Sequence, residues 1–101
     1  MTAKNYKVVH SSFSGEVYFK NLAVEKNVNI VYSYDNWETS LVGSASFEHA
    51  TNNPEFETWA FNLQLSIAVE AIEFAVAYDV DGVTYWANNN GDNYTALKAP
   101  F

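Results

Sequence analysis

Tryptophans, clustered asparagines and scattered carboxylates are the side chains of this 101-residue chain with chemistry to offer. Trp37 follows Tyr34-Asp35-Asn36, where an alternating apolar pattern stops, and so belongs to a turn. Trp86 stands beside Tyr85 and runs straight into Asn88-Asn89-Asn90. Neighbours in a strand point to opposite faces, so Tyr85 and Trp86 cannot both be core. Trp59, by contrast, is in phase with Phe61, Leu63 and Leu65 and is expected inside. A broad rigid ring stacks on the apolar C–H face of a sugar. A short amide supplies donor and acceptor together for a hydroxyl rim. Trp37 and Trp86 with Asn36, Asn88, Asn89, Asn90 and Asn93 therefore suit a neutral polyhydroxyl ligand. The same residues also fit a protein-contact patch, since exposed tryptophan marks interface hot spots and asparagine is frequent in turns for backbone reasons.

Catalytic constellations are not evident. His10 and His49 lie in no nucleophile or metal-ligand motif. There is no G-x-S-x-G elbow and no glycine loop of the phosphate-binding kind. Two of Glu55, Glu57, Glu70, Glu73, Asp79 and Asp81 could flank a glycosidic bond, but most occupy polar-face or loop positions where charge keeps a sheet soluble. Asp79-x-Asp81-Gly82 begins like a calcium loop and lacks its remaining ligands. The expectation is a protein that is not an enzyme and holds no metal or cofactor. Twelve acidic against five basic residues give a net charge of −7. That balance disfavours nucleic acid, whose affinity rests on cations meeting phosphates, and anionic membranes as well. The absence of cysteine excludes disulfides and thiolate zinc sites. No run of about 18 apolar residues spans a membrane. The N-terminus lacks a signal-peptide stretch, and localisation stays open.

The elements that must position these residues are strands. Val28, Ile30, Tyr32 and Tyr34 alternate with more polar neighbours, as do Trp59 to Leu65 and Phe74 to Val80. Period 2 is what a half-buried antiparallel strand requires. Asp81-Gly82 between two such runs predicts a type I′ hairpin; Ser14-Gly15, Asn52-Asn53-Pro54 and Asn88 to Asn93 read as loops. Strands are expected near 6–13, 16–22, 27–35, 41–49, 56–65, 71–80, 83–87 and 93–98, with a helical turn as an option over 66–72. Seven to eight short strands predict an all-β, immunoglobulin-like antiparallel β-sandwich, one domain over residues 1–101.

Four segments now carry a resemblance: Gly15 to Lys26 (GEVYFKNLAVEK), Tyr34-Asp35-Asn36-Trp37, Ile72 to Tyr78 (IEFAVAY) and Tyr85 to Tyr94 (YWANNNGDNY). In order and spacing they resemble carbohydrate-binding module family 21. That family includes the starch-binding domain of a fungal glucoamylase and glycogen-targeting subunits of protein phosphatase 1. The resemblance implies a non-catalytic sandwich binding α-1,4-glucan (starch, glycogen, maltooligosaccharides, cyclodextrin), fused to an amylase or serving a phosphatase catalytic subunit. An attached amylolytic enzyme would imply secretion, a glycogen-targeting subunit the cytoplasm. It implies a first site on aromatics matching Trp37 and Trp86 with the Asn88–Asn90 and Asn93 loop, a third aromatic of that site falling at Ala75. It implies a second site at Asn21, Lys26, Phe47, Phe56 and Glu57, with Val24 where the family has a tyrosine platform. Phosphatase docking in the family uses a basic residue followed by V-x-F. Val17-Tyr18-Phe19 has that form, but Glu16 precedes it and its apolar residues face the core. A protein-interaction sandwich without strong glucan binding and a small glycosidase are the rival classes.

Overall fold

The computed structural model describes residues 1–51 and 55–99; the predicted loop at Asn52-Asn53-Pro54 lies outside the described residues. Among the described residues nine strands run β1 (Thr2–Val9), β2 (Ser12–Lys20), β3 (Lys26–Ser33), β4 (Leu41–Ser44), β5 (Ser46–Ala50), β6 (Phe56–Gln64), β7 (Ala71–Val80), β8 (Val83–Ala87) and β9 (Tyr94–Leu97). They form two antiparallel sheets, one of order β1-β2-β6-β5 and one of order β4-β3-β7-β8 with β9 also on β7. Inward residues of both sheets make the core. Val8, Phe13, Val17 and Phe19 of the first meet Val28, Ile30, Ile72, Phe74 and Val76 of the second, all essentially solvent-free. Phe13 sits at its centre, 5.1 Å from the Phe61 ring, 5.2 Å from Phe74 and 5.5 Å from Tyr32, in the tilted and edge-on arrangements aromatic quadrupoles favour. Among the described residues no helix is long and apolar enough to cross a membrane.

The strand boundaries correct the sequence reading in instructive places. The first break falls at His10-Ser11, not Ser14-Gly15: Val9 pairs with Ser12, and His10 takes φ 56° to close the hairpin. Gly15 lies mid-strand because a Cβ there would stand 2.7 Å from the Phe61 ring. Its smallness serves packing, not turning. The expected 41–49 strand is two strands, since Ala45 is buried and the chain changes sheets there: β4 pairs with β3 and β5 with β6. Residues 66–72 form bends and the start of β7, not a helical turn; the helical element of the described residues is a single 3-10 turn at Asn89–Gly91. The Asp81-Gly82 hairpin is as expected, with φ 50° and 76° and Val80 paired to Val83.

Candidate functional site

The outer face of the five-stranded sheet follows from register. On β7, Ile72, Phe74, Val76 and Tyr78 join the core, so Glu73, Ala75, Ala77 and Asp79 face out. Ala77 pairs with Trp86 on β8 and with Asn29 on β3, while Ala75 pairs with Val31. Trp86 therefore stands on this outer face, 55% exposed. Tyr85, on the opposite face, is also exposed and leans toward Tyr78 at 6.2 Å. Ala75 and Ala77 are buried without belonging to the core. Their small side chains keep the sheet surface low beside the Trp86 ring, which pairs with Ala77.

The loop after β8 carries three of the asparagines to a groove beside Trp86, at the flank where β1 of the other sheet approaches. Asn88, Asn89 and Asn90 line an open groove of about 330 Å³ together with Trp86, Tyr94, Met1 and Thr2. Asn89, Asn90 and Asn93 have φ between 53° and 59°, the left-handed region asparagine tolerates best after glycine. Two of these amides are spent on the loop itself: Asn88 Oδ1 accepts the Gly91 N–H at 3.1 Å, and Asn89 Nδ2 donates to the Asn93 carbonyl at 3.1 Å. The amides of Asn90 and Asn93 have no side-chain hydrogen bond among the described residues. The sequence treated the four alike; the geometry divides them into two that shape the loop and two that are open.

Trp37 occupies a tight turn beyond β3. Asn36 and Trp37 have φ 62° and 66°, and the Glu38 N–H reaches the Asp35 carbonyl at 3.3 Å, which is type I′ geometry. A bulky residue at positive φ is an outlier that its surroundings must enforce. Local hydrogen bonds enforce it here. Ser33 Oγ accepts the N–H groups of Trp37 at 2.9 Å and Asp35 at 3.3 Å, and donates to Asp35 Oδ1 at 2.8 Å. The Asp35 carboxylate also accepts the Thr39 N–H at 3.0 Å and the Thr39 hydroxyl. These bonds, Thr39's hydroxyl foremost, hold its pKa below the ordinary 3.8. The Trp37 ring is half-buried yet lies outside the core and its packed neighbours. Its Nε1 is shielded from solvent with no hydrogen-bond partner among the described residues. Trp37 and Trp86 stand on opposite flanks of β7, and Asn36 borders a further depression described below.

The second predicted set is largely bound to itself. Lys26 Nζ, its side chain only 4% exposed, contacts Asn21 Oδ1 at 2.5 Å, the Ala23 carbonyl at 2.6 Å and Glu57 Oε1 at 3.1 Å. Glu57 Oε1 also accepts Trp59 Nε1 at 2.9 Å. Glu57 is thus an inward, paired carboxylate, and Trp59 only partly core. Phe56 stacks on Tyr18 at 5.3 Å with a 5° interplanar angle. What this region presents to solvent is Phe47, 56% exposed, and Val24, 93% exposed, at the tip of the braced 21–25 loop. Val17 and Phe19 of the V-x-F sequence are buried in β2.

Residues 2–97 match the carbohydrate/starch-binding module (family 21). The chain belongs to that family. Its members are binding modules, not catalysts. The chain is 36% identical over 94 residues to glucoamylase 1 of Rhizopus oryzae, covering 89% of this chain and 15% of the relative. It is 33% identical over 95 residues to protein phosphatase 1 regulatory subunit 3C of Bos taurus, covering 90% and 30%. Among solved structures, the starch-binding domain of Rhizopus oryzae glucoamylase in complex with β-cyclodextrin and maltoheptaose matches with TM-score 0.82 at 33% identity, covering 96% of this chain and 92% of that one. The carbohydrate-binding module of the muscle glycogen-targeting subunit of protein phosphatase-1 matches with TM-score 0.73 at 26% identity, covering 94% and 73%. The module spans well under half the length of these curated relatives.

Proposed function

We propose that this domain is a non-catalytic α-glucan-binding module whose main site is the outer face of the five-stranded sheet. The observation that carries the reading is Trp86: an exposed ring fixed on a strand, flanked by small buried alanines and by a groove of asparagine amides. Trp86 and Trp37 stack on sugar C–H faces, while Asn36, Asn90 and Asn93 meet hydroxyls and Asn88 and Asn89 hold the loop in shape. The enforced left-handed conformation of Trp37 supports this, because strain of that kind collects at ligand clamps. So does the net charge of −7, which a neutral ligand does not oppose. The ligands in the similar Rhizopus oryzae glucoamylase structure, β-cyclodextrin and maltoheptaose, are of this class. The second site is the weaker one: Phe47 pairs with Trp59 on the face of the Asn21–Lys26–Glu57 brace, Phe56 turns to the other face against Tyr18, and Val24 gives no ring.

In a longer protein the module holds polysaccharide near an attached amylolytic enzyme or a phosphatase catalytic subunit, as the two kinds of relative suggest. Co-sedimentation tests the central claim. The domain should pellet with granular starch, stay in solution with cellulose, and release no reducing sugar. A protein-interaction sandwich would stay in solution with both, and a glycosidase would release sugar.

A further inference from the structure

A second depression on the same outer face holds polar groups with nothing to bind. It measures about 230 Å³ and is lined by Ser33, Tyr34, Asn36, Ala71, Glu73 and Thr95. Register explains the grouping: Glu73 on β7 pairs with Ser33 on β3 and with Thr95 on β9. The three make one polar row across the sheet. Glu73 points out because Ile72 and Phe74 on either side of it are fully buried. Ser33 is committed to the Trp37 turn. The Glu73 carboxylate, the Thr95 hydroxyl and the Asn36 amide, by contrast, have no side-chain hydrogen bond or ion pair among the described residues. Lys98, the cation nearest in sequence to β9, pairs with Glu70 at 3.7 Å.

An ionised carboxylate accepts only, and two free oxygens suit two neighbouring hydroxyl donors. Charge-assisted bonds of this kind are roughly twice as strong as neutral ones. Thr95 and Asn36 add groups that donate and accept. The depression begins at the Trp37 turn, since Asn36 borders it. Along β7, Glu73 lies four residues from Ala77, the partner of Trp86, or about 14 Å at strand rise, further than one sugar ring spans.

We infer that Glu73, Asn36 and Thr95 form an extra subsite beside the Trp37 turn, which grips the hydroxyl rim of a sugar unit beyond the one stacked on Trp86 and so favours longer glucan chains. The inference rests on the outer face being the glucan site. Calorimetric titration of wild type, Glu73→Ala, Glu73→Gln and Trp86→Ala with maltotriose and maltoheptaose tests it. Glu73→Ala should lower maltoheptaose affinity about tenfold, the scale of a hydrogen bond to a charged group. It should leave maltotriose affinity within about twofold, and the melting temperature unchanged because Glu73 supports no other side chain. Glu73→Gln, which keeps an acceptor and loses the charge, should fall between. Equal affinities for wild type and Glu73→Ala with both ligands would overturn the subsite, as would equal weakening with both. A wild type that binds neither ligand, or a Trp86→Ala variant that binds both undiminished, would instead overturn the assignment of the face itself.

Discussion

At the residue scale, the two outer tryptophans should separate binding from folding. Trp86→Ala removes an exposed ring and should weaken maltoheptaose binding by about 1–3 kcal/mol, the scale of planar ligands stacking on aromatics, with the melting temperature little changed. Trp37 offers a finer comparison. Its φ of 66° is uncomfortable for any residue with a Cβ, by about 1–2 kcal/mol. Trp37→Ala and Trp37→Gly should both lose affinity, but the glycine variant should be the more stable in urea titration by about 1 kcal/mol. Equal stabilities would mean that the turn does not strain its occupant. Why this turn could be placed from sequence but not its conformation is a matter of which residue types signal φ. Asn-Gly announces positive φ, whereas Asn36-Trp37 does so only once Ser33, Asp35 and Thr39 are seen to hold it. The same holds for Asn88 and Asn89: four asparagines in six residues mark a polar loop, and only the hydrogen bonds say which amides remain open.

At the element scale, the turn after β3 is tied to pH through Asp35. The native network lowers the Asp35 pKa below 3.8, so the stabilisation it gives is fully present above 3.8 and is lost as pH falls through the depressed native value. Glucan affinity should accordingly hold steady from pH 7 to about 4 and decline at lower pH. Asp35→Asn should bind more weakly at neutral pH and lack that acid limb; an acid limb identical to wild type would assign the decline to other carboxylates. Gly15 supplies the packing counterpart. Gly15→Ala should destabilise by about 1–3 kcal/mol through overpacking against Phe61, whereas a turn glycine at its negative φ would have tolerated alanine. Period-2 alternation made most strands legible because one face of each is apolar. It missed what alternation does not encode. Ser14-Gly15 carries turn chemistry inside a strand, His10-Ser11 makes a turn without it, and Ala45 changes partners with no break in the pattern.

At the scale of the whole molecule, the two candidate sites lie on different sheets and are unequally equipped. Short maltooligosaccharides should titrate near one per chain, because Val24 offers no stacking face on the side of Phe47. Val24→Tyr should raise retention on insoluble starch more than affinity for maltotriose, since a long chain that engages both sites gains through effective concentration. Two equivalent ligands per wild-type chain, one lost with Trp86→Ala and the other with Phe47→Ala, would show the second site to be fully competent. The crossing at Ala45 has a mechanical meaning for such a tether. One uninterrupted ribbon forms the β4 edge of one sheet and the β5 edge of the other, so the two layers are sewn together along that flank. Separating the layers along that flank should therefore require breaking the β3–β4 or the β5–β6 pairing.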